Sequence, residues 1–491
     1  MRYREYIRRK YLTIVGHVGT LLLGVALFLL LSLAALIQFP EELPHAPWFV
    51  VPALITAVIG AVFRLAGRSA GKMTLSLADG GIIVLLSWTL AMVLSALPFF
   101  LSGLLNYRNA LFESVSGWTT TGLSVLNVET TPNIFLLWRS LMQFGGGAGL
   151  AIVMLSAIVG PHARGLYQAE GRTEQLLPNV KHSANVIIRI YVCYTALGAI
   201  LYVVGGMSLF DAVNHSLCAL STGGFSTRVA SIGYYDSPFV EVTTVVLMFL
   251  GATNFATHYV LLHGNHRAFF RNGEVRLAAT LAIFFIPVIL VAVALPLYSV
   301  EKALRVSLFE PVSALTTTGY TTVSYADWSD FGIACLLVLM LIGGGICSTA
   351  GGIKQYRVFL LLKSLAWEAK RYISPATAVH EHYIWRGESK FYVDSDHLKE
   401  SGAYFFLYLC TYAIGVLILL ACGYSLRDSL FEFASALGTV GLSVGITAPN
   451  APALMLWTEM AGMFLGRLEF FVIIYSLISA ARDIGSSLTS A

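Results

Sequence analysis

Four short segments of the chain share one sequence pattern, and this repeat limits the possible architectures more than any other feature. In three of them a Phe-Glu pair is followed by a glycine nine residues after the glutamate, and in the second His215 takes the glutamate position. The segments read FESVSGWTTTGLS (112–124), NHSLCALSTGGFS (214–226), FEPVSALTTTGYT (309–321) and FEFASALGTVGLS (431–443). Each lies between two long apolar stretches, so the pattern predicts four similar units in one chain.

Long apolar stretches make up most of the chain. Hydrophobic residues account for 57% of the 491 residues and charged residues for only 12%, about half of what a soluble domain carries. A membrane span needs roughly 20 predominantly apolar residues. The candidate spans by this criterion are 13–37, 48–66, 81–102, 134–160, 186–208, 238–263, 277–298, 331–360, 400–422 and 453–481. The composition predicts an all-α integral membrane protein and excludes an ordinary cytosolic enzyme and a disordered chain.

The spans and the repeated segments together predict the organisation of the chain. Two N-terminal spans precede four pseudo-fourfold repeats of membrane helix, pore loop and membrane helix, which can surround one axis. The predicted units are 1–80 (N-terminal spans and linker), 81–160 (repeat 1), 186–263 (repeat 2), 277–360 (repeat 3), 364–399 (cytoplasmic loop) and 400–491 (repeat 4 and C-terminus). Lysines and arginines concentrate on one side of this arrangement, so both termini are expected in the cytoplasm of a multi-pass cell-membrane protein.

Cofactor and partner motifs are scarce in the sequence. It contains neither a GxxxxGK[ST] phosphate loop nor a strand-linked GxGxxG, and the cytoplasmic segments 364–399 and 161–185 are too short for a nucleotide-binding domain. No basic stretch carries the interleaved aromatic residues of a nucleic-acid surface. No convergent set of catalytic groups is evident. We therefore expect no enzyme, no bound cofactor and no nucleic-acid partner, but a lipid membrane as the surroundings.

The Thr/Ser/Gly clusters that end the repeated segments fit an ion filter. Irregular backbone at membrane depth is tolerated only where protein buries it or a water-filled cavity receives it, and rings of backbone carbonyls can replace the hydration shell of a cation. Thr439-Val440-Gly441 repeats part of the TVGYG signature of K⁺ channels. A single cluster would suggest an extracellular turn instead, but four in register favour a filter. The candidate cation-binding residues, the only metal site expected, are Thr120, Thr121, Gly122, Leu123, Thr222, Gly223, Gly224, Phe225, Thr317, Thr318, Gly319, Tyr320, Thr439, Val440, Gly441 and Leu442.

A glycine-rich run interrupts the apolar stretch 331–360. Each glycine costs about 1 kcal/mol relative to alanine inside a helix, so the run 343–352 is expected to unwind into a loop that can block a pore. Small-residue helix packing is the alternative, and we favour it for the glycines at 145–149, which lack accompanying hydroxyls. Lys354 fits an ordinary cytoplasmic residue as well as a gating one. The candidate gate residues are Gly343, Gly344, Gly345, Ser348, Thr349, Gly351, Gly352, Lys354 and Arg467.

Arg467 lies near the middle of the last candidate span. A mid-membrane arginine costs at least about 2.5–3.5 kcal/mol on insertion scales, so it should face water or a partner. A positive charge beneath a filter would lower cation occupancy, whereas an ion pair with Glu469, Glu459 or a glutamate of the repeats would be structural. Those repeat glutamates, Glu113, Glu310 and Glu432, are expected at the start of the short helices, where carboxylates favour the positive end of the helix dipole.

The chain resembles the Trk/Ktr/HKT superfamily of potassium transporters. Besides the four filter segments, GATNFATHY (251–259), GGGICSTAGGIK (343–354) and FLGRLEFF (464–471) resemble its fourth-helix signature, its intramembrane gating loop and its last-helix arginine motif. The resemblance implies a homodimer with one pore per chain, a barrier role for Arg467, and K⁺ as the ion because all four filter positions hold glycine. It also implies a cytosolic, Rossmann-type, nucleotide-binding (TrkA-like) regulatory subunit.

The sequence thus predicts K⁺-selective uptake through a channel-like pore with a carbonyl filter and a loop gate. The alternative is a secondary symporter coupled to H⁺ or Na⁺. Such transporters usually show two inverted repeats and midplane carboxylates, whereas four parallel repeats are found here. The expected location is the cell membrane, which is the inner membrane if the host is Gram-negative.

Overall fold

The computed structural model describes residues 2–69, 73, 76–149, 180–375, 378, 380–386 and 389–489. Within these ranges, six helices are long and apolar enough to cross a membrane, or seven if one bent pair counts as a single span. Exposed leucine, isoleucine and valine side chains cover their outer faces. An apolar exterior of this kind suits a lipid environment, so the described part of the chain is a membrane-embedded helical protein.

Two N-terminal helices form a hairpin beside the first repeat. A Cβ atom added at Gly16 would lie 2.8 Å from the Cα of Gly67 on the facing helix, so only small residues allow this approach. Further on, helix α3 begins at a capping box, with the Ser76 hydroxyl accepting a hydrogen bond from the Asp79 amide. The hairpin helices are α1 (Arg2–Leu31) and α2 (Pro47–Arg68), joined by 3₁₀ turns at Ser32–Ile37 and Pro40–His45.

The four repeats follow, each with a short helix between two longer ones. Repeat 1 has α3 (Leu77–Ser95), α4 (Leu97–Leu101), the short α5 (Tyr107–Trp118) and α6 (Asn133–Ala148). Repeat 2 has α7 (Val180–Val204), the short α8 (Leu209–Leu220), a 3₁₀ turn (Ser231–Tyr234), α9 (Pro238–Ala252), α10 (Phe255–Leu262) and α11 (His266–Arg271).

The third and fourth repeats use the same order of elements. Repeat 3 has α12 (Gly273–Ile289), a π turn (Leu290–Ala294), α13 (Leu295–Leu297), the short α14 (Val300–Leu315), α15 (Asp330–Ile342) and α16 (Gln355–Ile373). Repeat 4 has α17 (Ser395–Ala421), the short α18 (Leu426–Gly438), α19 (Ala453–Arg467) and α20 (Phe470–Thr489).

Each short helix starts at a side-chain cap. A polar residue precedes it and accepts a hydrogen bond from the backbone amide three residues later, which satisfies one of the free donors of the first turn. The four capping residues are Asn106, Ser208, Ser299 and Ser425. The helices therefore begin earlier than the repeated motif, and the prediction that Glu113, Glu310 and Glu432 start them is wrong: the glutamates lie in the interior of the helices.

Three predicted spans are broken in the structure. The stretch 238–263 divides into α9 and α10, and 331–360 divides into α15 and α16 around a loop. The last span, 453–481, divides into α19 and α20, which are bent by 98°. Glu469 at this bend has φ of 59°, outside the helical region. For the predicted span 134–160, α6 is described to Ala148, and residues 150–160 lie outside the described residues.

A small antiparallel hairpin lies in the segment 364–399, which the sequence analysis treated only as a hydrophilic loop. Strands β1 (Tyr383–Arg386) and β2 (Ser389–Tyr392) pair with Ile384 opposite Phe391. Ile384 packs with Leu360 of α16 in a separate apolar cluster. The helical architecture predicted for the membrane part is confirmed, and the hairpin is an addition outside it.

Candidate functional site

The segments after the four short helices share one backbone conformation. Their threonines adopt the left-handed region, which is uncommon for residues other than glycine, and the glycines two positions later also have positive φ. The threonine φ values are 56° at Thr120, 52° at Thr222, 53° at Thr317 and 50° at Thr439. The glycine φ values are 96° at Gly122, 73° at Gly224, 80° at Gly319 and 93° at Gly441. Four matching conformations show that the sequence repeat is a structural repeat.

These segments close into a ring, defined here as residues 120–122, 222–224, 317–319 and 439–441. Each glycine packs on the carbonyl oxygen of the neighbouring segment so closely that an added Cβ would collide with it. The pairs follow chain order around the circle: Gly122 on Gly223, Gly224 on Thr318, Gly319 on Val440, and Gly441 back on Thr121. Glycine is therefore required at all four positions, both for its positive φ and for this contact.

The remaining predicted filter residues directly follow the ring glycines in sequence. Leu123, Phe225, Tyr320 and Leu442 are buried in the surrounding core. The Tyr320 hydroxyl donates to the carbonyl oxygens of His215 at 3.2 Å and Phe225 at 3.1 Å, which joins the second and third segments. Among the described residues, the buried Thr120 and Thr439 hydroxyls have no hydrogen-bond partner. The ring thus consists of glycines packed on neighbouring carbonyl oxygens, is surrounded by buried apolar side chains, and contains two hydroxyl oxygens without a hydrogen-bond partner.

Buried glutamates hold the chain as it leaves the ring. Glu310 accepts hydrogen bonds from the amide and hydroxyl of Thr322, each at 2.8 Å, and from the Tyr325 hydroxyl at 2.5 Å. The other two glutamates bind the corresponding residues: Glu113 binds Ser124 and Val125, and Glu432 binds Ser443, Val444 and Thr447. Each carboxylate therefore joins the short helix to the segment eleven or more residues later, a structural role within its own repeat.

The second repeat achieves the same join without a glutamate. The His215 ring contacts the Asp211 carbonyl through Nδ1 at 2.7 Å and the Ser226 hydroxyl through Nε2 at 3.0 Å. Because a carbonyl only accepts, Nδ1 carries the proton and Nε2 accepts from Ser226. Asp211, one helical turn earlier, accepts from the Thr227 hydroxyl at 2.6 Å and from Arg228 at 2.7 Å.

Two polar residues of α6 support the ring: Gln143 contacts the ring itself, and Arg139 contacts the segments that follow it. The sequence analysis assigned neither a role there. Arg139 donates to Glu113 at 3.1 Å and to the Ser226 carbonyl at 3.3 Å, and its guanidinium lies 3.9 Å from the Phe225 ring centre. Gln143, one turn along the same face, contacts Gly223 and Phe225. The available signal was their i, i+4 spacing in an otherwise apolar helix.

The predicted gate residues form a non-helical segment, here called the glycine loop (343–354). Positive φ values at Gly343, Cys347, Gly352 and Lys354 take it out of the helical conformation. The loop lies against the threonine side of the ring. The Gly351 amide donates to the Thr317 hydroxyl at 2.8 Å, and the Thr222 and Thr349 hydroxyls are 3.1 Å apart. The structure therefore brings the two predicted sites into direct contact.

Several neighbouring elements hold the glycine loop with hydrogen bonds. The Ile346 amide donates to the Glu274 carboxylate at 2.7 Å, and the Gly345 amide donates to the Ala252 carbonyl at 2.9 Å. Within the loop, the Ser348 hydroxyl donates to the Gly345 carbonyl at 2.6 Å. Additional contacts join Thr349 to the Gly251 carbonyl, Gln355 to the Gly343 carbonyl, Gly344 to Gly351, and Lys354 to the Ala350 carbonyl.

Arg467 lies at the bend between α19 and α20 and reaches the glycine loop. Its guanidinium donates to the Thr349 carbonyl at 2.5 Å and to the Gly146 carbonyl at 2.5 Å. Glu469, considered above as an ion-pair partner for Arg467, binds Arg357 of α16 at 2.5 Å instead. Neighbouring residues of one bend thus contact both the loop and the helix that follows it.

The glycines near the end of α6 pack as a helix against the ends of the short helices α5 and α8. A Cβ at Gly146 would collide with the Trp118 carbonyl, and one at Gly147 would lie 2.7 Å from the Ser221 side chain. Small-residue packing is therefore the arrangement found for the described part of this run. In the described ranges, no cluster of three or more His, Cys, Asp or Glu side chains has the geometry to hold a metal ion.

A family model described as TrkH, cation transport protein, matches residues 49–482. The chain belongs to the TrkH family. An uncharacterized cation transporter of Methanocaldococcus jannaschii is 33% identical over 87% of both chains. The Trk system potassium uptake protein TrkH of Escherichia coli K12 is 30% identical over 87% of this chain and 90% of the relative. The crystal structure of the potassium transporter TrkH from Vibrio parahaemolyticus matches with a TM-score of 0.82 and 29% identity, covering 95% of this chain and 98% of that one.

These similarities confirm the family resemblance and the predicted fold class. The residues matched by the family model, 49–482, include the four ring segments and the glycine loop. The family consists of cation transport proteins, so the protein is a multi-pass membrane transporter of this family.

Proposed function

We propose that this protein takes up K⁺ across the cell membrane through the ring, with the carbonyl oxygens of the four segments replacing the ion's hydration shell. The observation that carries the proposal is the closed cycle of four glycine–carbonyl contacts. Rings of backbone carbonyls are the chemistry by which K⁺ filters bind their ion. The potassium uptake named for the E. coli and V. parahaemolyticus relatives supports the choice of ion.

The electrostatics of the ring favour a cation. All ring residues are uncharged, and the four short helices end beside the ring at Trp118, Leu220, Leu315 and Gly438, so their negative dipole ends face it. The buried Thr120 and Thr439 hydroxyl oxygens add acceptors on the loop side of the ring. A desolvated cation would satisfy oxygens whose burial is otherwise unfavourable.

We propose that the glycine loop is the gate. It lies directly beneath the ring and is bound to the Thr222 and Thr317 hydroxyls, so an ion leaving the ring meets the loop first. Arg467 adds a positive charge at the same level and holds the Thr349 carbonyl. Opening then requires that the loop leave the ring and that Arg467 release or follow it, because a fixed positive charge there disfavours cation passage.

The proposed setting follows from the charge distribution and the relatives. We propose both termini in the cytoplasm, a homodimer with one pore per chain, and a cytosolic nucleotide-binding, TrkA-like subunit that acts on the gate. Basic residues of α16 and the hairpin, including Lys363, Lys370, Arg371 and Lys390, supply a cytoplasmic face for that subunit. In a Gram-negative host the location would be the inner membrane.

The test substitutes serine for a ring glycine and measures radioactive Rb⁺ uptake into proteoliposomes with K⁺ or Na⁺ as competitor. Gly441→Ser places a side chain against the Thr121 carbonyl, whereas Gly445→Ser introduces it at a similar φ, 94°, where no atom lies within 4 Å. We expect the preference for K⁺ over Na⁺ to fall about tenfold in the first variant, equivalent to about 1.4 kcal/mol, and to remain in the second. If both variants and the unaltered protein showed the same preference for K⁺ over Na⁺, the proposal that the ring is the filter would be refuted.

A further inference from the structure

One position behind the ring breaks the fourfold pattern. In three repeats a fully buried methionine lies three residues before a helix-ending glycine, and in the first repeat the same place holds Gln143. The equivalence of the positions is geometric, because the glycines of repeats 1, 2 and 4 each pack on the carbonyl of the last or next-to-last residue of the short helix: Gly146 on Trp118, Gly251 on Leu220 and Gly466 on Leu437. The methionines are Met248, Met340 and Met463, with Met340 placed by its spacing to Gly343.

A second departure in the ring complements the first. The residue before the ring glycine is Thr121, Thr318 or Val440 in three segments, but Gly223 in the second. A Cβ at Gly223 would collide with the carboxamide carbon and oxygen of Gln143. The carboxamide therefore occupies the space that a side chain fills in the other segments. Gln143 and Gly223 form a matched pair, although they are 80 residues apart in sequence.

Both ends of the Gln143 carboxamide bind the second segment. Its Nε2 donates to the Gly223 carbonyl at 2.5 Å, and its Oε1 accepts from the Phe225 amide at 3.1 Å. The Gly223 carbonyl is also the oxygen on which Gly122 packs, so it belongs to the ring. Among the described residues, no side-chain donor reaches the equivalent carbonyls of Thr121, Thr318 or Val440.

We infer that Gln143 is a positioning residue that sets the ion preference of the ring through the Gly223 carbonyl, an inference that rests on the proposed filter function. An N–H donor occupies part of that oxygen's acceptor capacity and fixes its direction. The ring therefore has three freer carbonyls and one stiffer, weaker ligand at this level. Selectivity depends on the number and field strength of the coordinating carbonyls, and a weaker ligand favours the larger, less strongly hydrated cation.

The variant Gln143→Met installs the residue that the other three repeats use. It removes the donor to Gly223 while keeping the buried volume similar, a class of substitution that cores tolerate. The matched control is Met248→Leu, at the equivalent position of the second repeat, where the side chain makes no hydrogen bond to the ring. A second variant, Gln143→Glu, keeps an acceptor for the Phe225 amide and removes the donor.

The readout is the ratio of Na⁺ to K⁺ concentrations that halve Rb⁺ uptake, together with the thermal midpoint in detergent. We expect the ratio to fall about fivefold in Gln143→Met, because the net contribution of one hydrogen bond corresponds to about this factor. The ratio should also fall in Gln143→Glu. Met248→Leu should leave the ratio unchanged. A folded, transporting Gln143→Met protein with an unchanged ratio would overturn the inference, as would failure of both Gln143 variants to fold, since the amide would then be purely structural.

Gly441→Ser, measured in parallel, separates this inference from the proposed function. If Gly441→Ser lowers the ratio and Gln143→Met does not, the filter stands and the role of Gln143 is wrong. If neither substitution changes the ratio, the filter itself is wrong.

Discussion

The ring and the glycine loop are in contact, yet they are built in opposite ways. Every ring segment is tied to its own repeat by a buried acidic or histidine side chain, and the same join occurs four times. The loop is held instead by hydrogen bonds from several elements of different repeats, such as Glu274, Gly251 and Arg467. Hydrogen bonds that recur within each repeat suit a part of the protein that must keep its geometry. Contacts that are spread over several elements and have no counterpart in the other repeats suit a part that must move.

The largest effect is expected when a buried residue that joins a ring segment to its short helix is removed. If the protein kept its stability without that residue, the contrast between ring and loop would be wrong. Glu310→Ala leaves three donors, from Thr322 and Tyr325, without their buried acceptor. Each such group costs about 1–3 kcal/mol, so we expect a loss of several kcal/mol and little folded protein. Thermal unfolding and size-exclusion chromatography in detergent measure this. The control is Glu301→Ala on the same helix, whose side chain is 80% exposed and should be nearly neutral.

A loop contact should behave differently. Arg467→Ala removes the donors to the Thr349 and Gly146 carbonyls and the positive charge beside them, so the loop should leave the ring more often. We expect about tenfold faster Rb⁺ uptake, the effect of about 1.4 kcal/mol, measured as the initial rate in proteoliposomes. Arg371→Gln, an exposed charge removal at the end of α16, is the control. Slower uptake in a folded Arg467→Ala protein would contradict a barrier role.

Glu274 tests the same loop with a smaller perturbation. Gln at this position retains an oxygen that can accept from the Ile346 amide at the present 2.7 Å, but it loses the charge that strengthens the bond. A hydrogen bond to a charged group exceeds a neutral one by about 1 kcal/mol, so uptake in Glu274→Gln should rise by about fivefold at most. Glu274→Ala, which removes the acceptor, should exceed it. The reverse order would show that Glu274 does not act through this bond.

The smallest effect is expected in repeat 2, at the exposed turn between the 3₁₀ turn Ser231–Tyr234 and α9. Lys302 and Arg305 hold the pKa of the exposed Asp236 carboxyl below its usual value. Its stabilisation is therefore present above the ordinary aspartate pKa of about 3.9 and is lost as the pH falls through the lower folded-state value. Asp236→Asn should lower the thermal midpoint slightly at neutral pH, and the difference should vanish in acid. Unchanged Rb⁺ selectivity in this variant provides a baseline for the ring variants.

Much of the membrane fold follows from local sequence. Apolar length located the long helices, and the nine-residue spacing identified the four ring segments, because both signals lie within one stretch of chain. The kink at Glu469 and its ion pair with Arg357 did not follow, since the two residues are 112 apart. The prediction placed Glu310 at the start of its helix, but that helix begins after the capping residue Ser299. Glu310 instead binds residues that follow the ring segment in sequence, such as Thr322.

The pairing of Gln143 with Gly223 marks the limit of sequence reasoning here. Each residue was visible as a departure from a pattern, a polar residue at an apolar position of α6 and an additional glycine in a repeat. Only the folded arrangement shows that the two departures compensate each other. The first strand of the hairpin, Tyr383–Arg386, had a local signal, two aromatic residues alternating with other residues, which the hydrophilic average of the segment concealed.

The central claim is that the ring determines which ion passes and the glycine loop determines how fast. The most direct test measures Rb⁺ uptake, with K⁺ and Na⁺ as competitors, for the intact protein and for a variant lacking residues 345–350. The account predicts faster uptake in the variant with the preference for K⁺ over Na⁺ unchanged. Faster uptake with the preference lost would place selectivity in the loop and contradict the account.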